Sequence, residues 1–270
     1  MSKLIRELIA EPQKKFRIAN RDPDATPGCK DKAEAKHRLA KNLDRLSVLQ
    51  YLLYAEGRRS VLMVLQGIDA GGKDGTVRNV MSGLNPQGVR VTSFKVPDGE
   101  EKRHDYLWRI HKAVPGYGEI GLFNRSQYED VLVVRVHNLV PKSVWMRRYQ
   151  EINDFEKMLA DNGTTILKFF LNISKDEQKA RFEDRLKDKT KNWKFSPGDI
   201  EERKFWDDYA QAFEDAIEKC STPWAPWYVI PANKKWYRNL AVSEILVDTM
   251  ERMDLHYPKP TADLSKIEFE

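Results

Sequence analysis

The chain has 270 residues, of which 41% are hydrophobic and 32% charged, a composition typical of a soluble globular protein. No uninterrupted apolar segment is long enough to cross a bilayer and no signal-peptide pattern opens the sequence, so we expect a cytoplasmic protein. The net charge of +5 permits a polyanionic partner, while two distant cysteines, Cys29 and Cys220, give little support for a disulfide framework or a zinc site.

The first part of the chain is read as an extension followed by a helix. Residues 1–32 mix charge and proline with little periodicity, so we predict an extended arm over the core. Leucines from Leu39 to Leu53 then recur at helical spacing among charged residues, which predicts an amphipathic helix that ends near Gly57. Packing explains this apolar stripe more simply than partner binding.

A phosphate loop is predicted where the apolar run 61–65 gives way to glycines. The run indicates a buried strand, and the residues after the glycines open a helix. Glycines let backbone N–H groups point at phosphate oxygens, Lys73 adds a positive charge, and the helix N-terminus adds its dipole. An ordinary glycine-rich turn is the alternative. The predicted phosphate-binding residues here are Gly67, Ala70, Gly71, Gly72, Lys73, Asp74, Gly75 and Thr76.

Two carboxylates in this loop need an explanation. Most such loops carry Ser or Thr after the lysine to hold Mg²⁺, whereas this chain has Asp74, with Thr76 two residues later. Asp69 would repel bound phosphates unless a cation intervened, so we predict that Mg²⁺ bridges Asp69 to phosphate oxygens. Asp69 could also orient or deprotonate the acceptor oxygen. The alternative is that Asp69 caps the loop or the following helix.

Further apolar runs, separated by helical or polar stretches, predict a parallel sheet covered by helices. In such a sheet, ligands bind outside the carboxyl ends of the strands. The residues just after each run are therefore candidates for the site. The runs comprise residues 89–94, 120–123, 165–171 and 227–230.

Polar residues crowd the end of the run 120–123, where Asn124, Arg125, Glu129 and Asp130 follow closely. The planar guanidinium of Arg125 could clamp a transferring phosphoryl group. Glu129 or Asp130 could orient Mg²⁺, water or nucleotide. Helix capping and surface ion pairs are the alternative.

The segment that follows the run 165–171 is locally basic. Arg181 and Arg185 stand four residues apart, on one face of a helix, so both could reach the same polyanion. Beside a phosphate loop, we interpret this stretch, together with Lys194, as a lid that closes over charged substrate and excludes water. A solvated charged face is the alternative.

Four ordered motifs resemble those of the family 2 polyphosphate kinases. They read GIDAGGKDG at 67–75, FNRSQYEDVLV at 123–133, NWKFSP at 192–197 and TPWAPWY at 222–228. The resemblance covers roughly residues 30 to 257. It implies an α/β fold of the thymidylate-kinase-like P-loop type, with a central parallel sheet, flanking helices and a helical lid. It also implies Mg²⁺-dependent phosphoryl transfer between inorganic polyphosphate and a nucleotide.

The resemblance also implies roles for particular residues. Asp69 looks like the metal-coordinating carboxylate, Lys73 like the phosphate-loop lysine, Arg125 like the second-motif arginine and Arg185 like a lid arginine. These four are the expected catalytic residues, and Arg181 and Lys194 join the expected polyphosphate-binding set. Nucleotide contacts are expected from Asn124, Glu129 and Asp130.

One position departs from the family pattern. Many relatives have Asp where this chain has Asn124, and an amide cannot supply that charge, so metal or nucleotide contacts are expected to differ there. This version of the motif resembles the subgroup that phosphorylates both nucleoside mono- and diphosphates. AMP and ADP are therefore the expected acceptors, with other purine nucleotides left open.

The expected organisation is an N-terminal extension (1–32), a P-loop kinase domain (33–257) with a lid at about 179–204, and a C-terminal tail (258–270). We expect a homo-oligomer with no nucleic-acid or membrane partner. The loop alone does not identify the donor, so an ATP-dependent nucleotide or small-molecule kinase is one alternative. A basic nucleic-acid-binding protein, with Trp193, Trp236 and Tyr237 as stacking platforms, is the other.

Overall fold

The structure, a computed structural model, describes residues 2–12 and 14–267, apart from the side chain of Lys266. Met1 and Gln13 of the predicted extension, and residues 268–270 of the predicted tail, lie outside the described residues. The described part contains a five-stranded parallel sheet in the order β2-β3-β1-β4-β5. Its strands are β1 (Ser60–Gln66), β2 (Val89–Ser93), β3 (Ile120–Asn124), β4 (Thr164–Asn172) and β5 (Trp227–Pro231).

Helices cover both faces of this sheet, as predicted. Short 3₁₀ turns join several of them. No described helix is both long enough and apolar enough to span a membrane. The helices are α1 (Lys3–Leu8), α2 (Lys32–Glu56), α3 (Lys73–Val80), α4 (Trp108–His111), α5 (Val133–Val136), α6 (Lys142–Asp161), α7 (Lys175–Lys187), α8 (Pro197–Glu202), α9 (Trp206–Cys220) and α10 (Lys235–Arg252).

Burial on both faces explains why β1 reads as a continuous apolar run. Val61, Met63 and Leu65 belong to a hydrophobic cluster that includes residues of α2 and α10. Leu62 and Val64 belong to a second cluster, which includes residues of α6 and α9 on the opposite face. Because alternate side chains of a strand point to opposite faces, every residue of β1 must be compatible with a core. The predicted three-layer α/β fold is confirmed.

The strand order places the carboxyl end of β1 at a crevice. From β1 the chain moves to one side of the sheet, through β2 and β3, and then crosses to β4 on the other side of β1. Connections that leave in opposite directions open a ligand-binding crevice at this point. The register pairs Leu65 with Asn124, so the loop after β1 and the polar residues after β3 emerge side by side.

The predicted amphipathic helix is confirmed as α2. The Asp31 carboxylate caps its first turn by accepting hydrogen bonds from the N–H groups of Ala33 and Glu34. Gly57 ends it in the left-handed conformation, with φ of 62°. The buried Leu46 and Leu53 pack into the cluster shared with α10, which supports the packing interpretation of the leucine stripe.

The N-terminal segment is more ordered than an extended arm. Leu4, Ile5 and Leu8 of α1 are buried in the same cluster as α2 and α10. After α1, Ile9 forms an antiparallel bridge with Tyr228 at the edge strand β5. The spacing of the three apolar residues fits one face of a single helical turn, a signal too short to separate from irregular sequence.

A fully buried ion pair anchors the chain after β3. Lys168 on β4 and Glu156 on α6 are 0% and 1% exposed and form a salt bridge. The Lys168 ammonium also donates to the Tyr128 hydroxyl at 2.8 Å and to the Cys220 carbonyl at 2.6 Å. Gln127 donates to the same Glu156 carboxylate at 3.0 Å. The turn that carries Gln127 and Tyr128 is thereby tied to the core.

This network predicts a large loss of stability when its cation is removed. We expect Lys168→Met to lower the free energy of unfolding by about 3–5 kcal/mol, because it leaves the Glu156 carboxylate buried without its partner. Urea denaturation followed by circular dichroism measures the change. Lys157→Met, which breaks an exposed ion pair with Asp161 on α6, is the control and should cost no more than about 1 kcal/mol. Equal stability of the two variants would contradict this assignment.

Candidate active site

The loop after β1 has the backbone of a phosphate-binding turn. Gly67 approaches the neighbouring strand so closely that a side chain there would begin 3.0 Å from the Leu171 carbonyl oxygen. Gly72 has a φ of 102° and directly precedes α3. Both positions therefore require glycine. The loop directs the chain into the N-terminus of α3, where free N–H groups and the helix dipole favour an anion.

The Lys73 side chain folds back over this loop. Its ammonium donates to the carbonyl oxygens of Gly67 at 2.6 Å and Ile68 at 3.3 Å. Burial, together with the nearby Arg125 guanidinium, lowers the pKa of Lys73 to about 8. In the first turn of α3, the charged form of Lys73 is therefore energetically unfavourable until an anion binds nearby.

Arg125 joins the two strand ends across the crevice. Its guanidinium contacts Asp69 Oδ1 at 2.8 Å and Glu129 Oε2 at 3.1 Å. Although burial opposes it, Glu129 and Asp69 raise the pKa of Arg125, which keeps the guanidinium charged. Arg125 and Asp69 are 37% and 31% exposed, so both can be reached from the crevice. The structure thus brings together three residues that the sequence placed in one site.

One carboxylate at the loop, that of Asp69, suits the predicted metal site. Asp69 is exposed to the crevice, and Glu129 lies on the other side of the Arg125 guanidinium. Among the described residues, no group of three or more His, Cys, Asp or Glu side chains could hold a metal ion. Mg²⁺ commonly binds through one or two carboxylates plus substrate phosphates and water, so this donor set fits a metal carried in with phosphate.

Asp74 and Asn124 form a contact that explains the unusual residues at both positions. The Asn124 amide donates to Asp74 Oδ1 at 2.9 Å, and the Lys194 ammonium lies 3.2 Å from Asp74 Oδ2. Burial works against it, but the hydrogen bonds from Lys194 and Asn124 lower the pKa of Asp74. A carboxylate at position 124 would face the Asp74 carboxylate, whereas an amide can donate to it. Asp74 therefore connects α3, β3 and the basic segment.

The two arginines of α7 do not share one environment. Arg181 is buried beneath the loop, where its guanidinium donates to the carbonyl oxygens of Ala70 at 2.8 Å and Asn233 at 3.1 Å. Arg185 lies farther along α7 and pairs with Asp199 of α8 at 3.3 Å. The observed contacts of Arg181 support the loop backbone, while those of Arg185 hold the basic segment together.

Asp130 takes no part in the ion pairs that Arg125 forms with Asp69 and Glu129. Its carboxylate lies 2.9 Å from the Arg148 guanidinium of α6, and burial raises its pKa to about 6. It lines a neighbouring cavity with Arg109, Arg125 and Glu129, and the last two also line the cavity beside Asp69. Asp130 and Asp69 therefore line different cavities. The nucleotide-binding role of Asp130 stays a prediction.

Several residues of the site were missed in the sequence. Trp206, Tyr209 and Phe213 of α9 form an aromatic wall of the cavity that Asp69, Arg125 and Glu129 also line. Burial and the hydrogen bond to Glu202 raise the pKa of Tyr209, which keeps its hydroxyl protonated. The spacing of these aromatics at three and four residues gave a helical signal, but nothing in it distinguished a cavity wall from core packing.

Gln178 is a further missed residue. Its amide donates to the Asp69 carbonyl oxygen at 3.0 Å and its own oxygen accepts from Arg203 at 2.9 Å. It therefore connects the loop backbone at Asp69 to α7 and to the turn between α8 and α9. A glutamine in a charged helix carries no signal of such a contact.

Both the sequence and the fold of this chain are similar to those of known proteins. The polyphosphate kinase 2 (PPK2) family pattern matches residues 29–258. The AMP/ADP-polyphosphate phosphotransferase of Meiothermus ruber is 56% identical over 261 residues, covering 96% of this chain and 98% of that protein. The ADP-polyphosphate phosphotransferase of Rhodopseudomonas palustris is 48% identical, with 84% and 83% coverage. The crystal structure of polyphosphate kinase 2 from Arthrobacter aurescens TC1 superposes with a TM-score of 0.94 at 48% identity, covering 98% of this chain and 94% of that one.

The lowered pKa of Lys73 predicts proton uptake on anion binding. In the ligand-free protein Lys73 loses its proton above about pH 8, and a bound polyanion favours the charged form. At pH 9, Lys73 should therefore take up a proton when sodium polyphosphate binds. At pH 7, Lys73 is already protonated in the free protein, and little uptake is expected. Titration calorimetry in two buffers of different ionisation enthalpy measures the uptake.

Lys73→Met provides the reference for this titration, because protons exchanged by polyphosphate itself appear in both proteins. The wild type should take up more protons at pH 9 than the variant, and affinity should fall from pH 8 upward in the wild type alone. Equal uptake by the two proteins at pH 9 would show that Lys73 does not titrate there.

Proposed function

Because the chain belongs to the polyphosphate kinase 2 family, we propose that it transfers the terminal phosphate of inorganic polyphosphate to AMP and to ADP, forming ADP and ATP. The observation that carries this proposal is the set Lys73, Asp69 and Arg125, gathered at the ends of two adjacent strands. The set occurs in a chain that is 56% identical over nearly its whole length to an AMP/ADP-polyphosphate phosphotransferase.

Positioning and charge supply the catalysis in this proposal. The N–H groups of the loop and the Lys73 ammonium bind phosphate oxygens at the N-terminus of α3. The Arg125 fork, oriented by Asp69 and Glu129, faces the same crevice and stabilises charge on the transferring group. A terminal oxygen of the acceptor nucleotide attacks the end phosphorus in line, and the shortened polyphosphate leaves.

Mg²⁺ is part of the proposal, with Asp69 as its protein ligand. When bound, the ion would neutralise charge on the phosphate oxygens that approach this carboxylate. We propose direct transfer, without an enzyme-bound phosphate. The carboxylates of Asp69 and Glu129 are paired with Arg125 in the cavity that they line, which suits binding and orientation of substrates.

In this proposal the basic segment binds polyphosphate and the aromatic wall binds the nucleotide. Lys194 pairs with Asp74 of α3 and Arg185 pairs with Asp199 of α8. A linear polyanion would compete with these two carboxylates for the cations. Trp206 and Tyr209 offer aromatic faces to a nucleotide base. Asn124, which contacts Asp74, and Glu129, which lines the cavity with the aromatic residues, are the proposed contacts to the acceptor.

We further propose a cytoplasmic homo-oligomer that acts on adenine nucleotides without a nucleic-acid or membrane partner. Exposed apolar residues on α2, Val48, Tyr51 and Tyr54, suit a contact between subunits. The free thiols Cys29 and Cys220 suit a reducing compartment.

The donor distinguishes this function from an ATP-dependent kinase. Purified protein is incubated with Mg²⁺ and polyphosphate, with AMP or ADP in separate reactions and no ATP, and the products are separated by chromatography. ATP should form from ADP, and ADP followed by ATP from AMP. Lys73→Met should fold normally and lose at least about 100-fold in turnover, and chelation of Mg²⁺ should stop the reaction.

Two results would contradict the proposal. Failure of polyphosphate to phosphorylate either nucleotide, with transfer from ATP to AMP in the same preparation, would establish an ATP-dependent kinase. Binding to RNA or DNA more tightly than to polyphosphate, with strong salt dependence, would favour the nucleic-acid alternative.

A further inference from the structure

Arg238, on α10, lies directly behind the phosphate loop. Its guanidinium is so close to the backbone that a side chain on Gly72 would begin 2.0 Å from one terminal nitrogen. A side chain on Gly75 would begin 3.0 Å from the other. Arg238 is 3% exposed, so its charge belongs to the interior of the protein. Arg238 thus lies beneath the loop and not on the protein surface.

The charge of Arg238 has no acidic partner in the described part of the chain. Its hydrogen bonds go to the Asn239 amide oxygen, at 2.8 and 3.1 Å. Arg181, the adjacent buried guanidinium, has Glu177 at 2.7 Å in addition to its carbonyl acceptors. Burial and the charge of Arg181 lower the pKa of Arg238 to about 10. A buried cation without a carboxylate is unfavourable for the ligand-free protein.

The positive charge of Arg238 is also unfavourable for stability at this position. Arg238 contacts the N-terminal turn of α3, whose dipole already carries partial positive charge, and Lys73 adds a buried ammonium to the same turn. Three sources of positive charge therefore converge on one loop. An anion bound at the front of the loop is the group that would offset all three.

We propose that Arg238 is a positioning residue for phosphate, which supports Gly72 and Gly75 from behind and whose unpaired charge strengthens binding of a polyphosphate chain at the front. This inference rests on the proposed function and assigns a role that requires no contact with substrate. With an effective dielectric constant of about 20, one unit charge within about 12 Å of another is worth at least about tenfold in affinity.

A purely structural role would give the opposite effect on the free protein. If Arg238 served only to pack α10 against the loop, its removal would destabilise the protein with or without ligand. If its charge serves ligand binding, a neutral side chain of similar length relieves an unfavourable burial in the free state. Replacement of buried charges by apolar side chains is often neutral or stabilising.

The test uses the full chain with Arg238→Met and Arg238→Lys. Arg252→Met is the matched control, because Arg252 is an exposed arginine of the same helix, about 21 Å farther along its axis. Thermal unfolding is measured with and without sodium polyphosphate, and KM for polyphosphate and kcat are measured with ADP in excess.

We expect Arg238→Met to unfold at the wild-type temperature or above it without ligand, and to gain less stability from polyphosphate. Its KM for polyphosphate should rise at least about tenfold, with a smaller change in kcat. Arg238→Lys, which retains the charge, should recover most of the affinity, and Arg252→Met should match the wild type.

The outcomes separate this inference from the proposed function. An Arg238→Met protein that unfolds at a lower temperature than the wild type, or one that keeps the wild-type KM and the full polyphosphate-induced stabilisation, would overturn the role of Arg238 alone. If polyphosphate neither stabilises the wild-type protein nor acts as its phosphoryl donor, the proposed function is overturned, and this inference with it.

Discussion

The ion pair between Arg125 and Asp69 connects the carboxyl ends of two central strands, and the other parts of the site are arranged around it. The Arg125 N–H donates to the Leu65 carbonyl at 3.1 Å, which extends the β1–β3 pairing by one residue. Gln178 holds the Asp69 backbone from α7. Arg125 also lies close enough to Lys73 to lower its pKa. The carboxylates thus hold like charges near each other in a site that a polyanion can enter.

Buried polar groups support the carboxyl ends of β1 and β3 from the interior. The apolar core alone could not provide such directional support. The turn after Arg125 is fixed by Tyr128, whose hydroxyl contacts both Lys168 and Glu156 in the core. The phosphate loop is held from below by Arg181 through backbone carbonyl oxygens. Each support positions a backbone segment and leaves the half-buried charges of Arg125 and Asp69 free to exchange partners. Geometry of this kind favours phosphoryl transfer, in which positioning and electrostatics supply most of the catalysis.

Much of the fold could be predicted from the sequence, because strands buried on both faces must be apolar throughout and a phosphate loop must contain glycine where Gly67 and Gly72 stand. The residues at strand ends could be predicted for a similar reason. The direction of individual side chains could not. Arg181 supports the loop and Asp130 pairs with Arg148, since both directions depend on helices packed from distant parts of the sequence. The burial of Arg238 could not be predicted either, because a lone arginine in a helix gives no signal of burial.

The central claim is that Asp69, paired with Arg125 in the ligand-free protein, serves the transfer of phosphate from polyphosphate. The most direct measurement compares the turnover of polyphosphate and ADP by the wild type and Asp69→Asn at saturating substrates and Mg²⁺, with unfolding followed for both proteins. The exposed Asp161→Asn on α6 serves as control. The account predicts a loss of at least about 100-fold in kcat for Asp69→Asn with little change in stability. Turnover of Asp69→Asn within a few-fold of the wild type would contradict it.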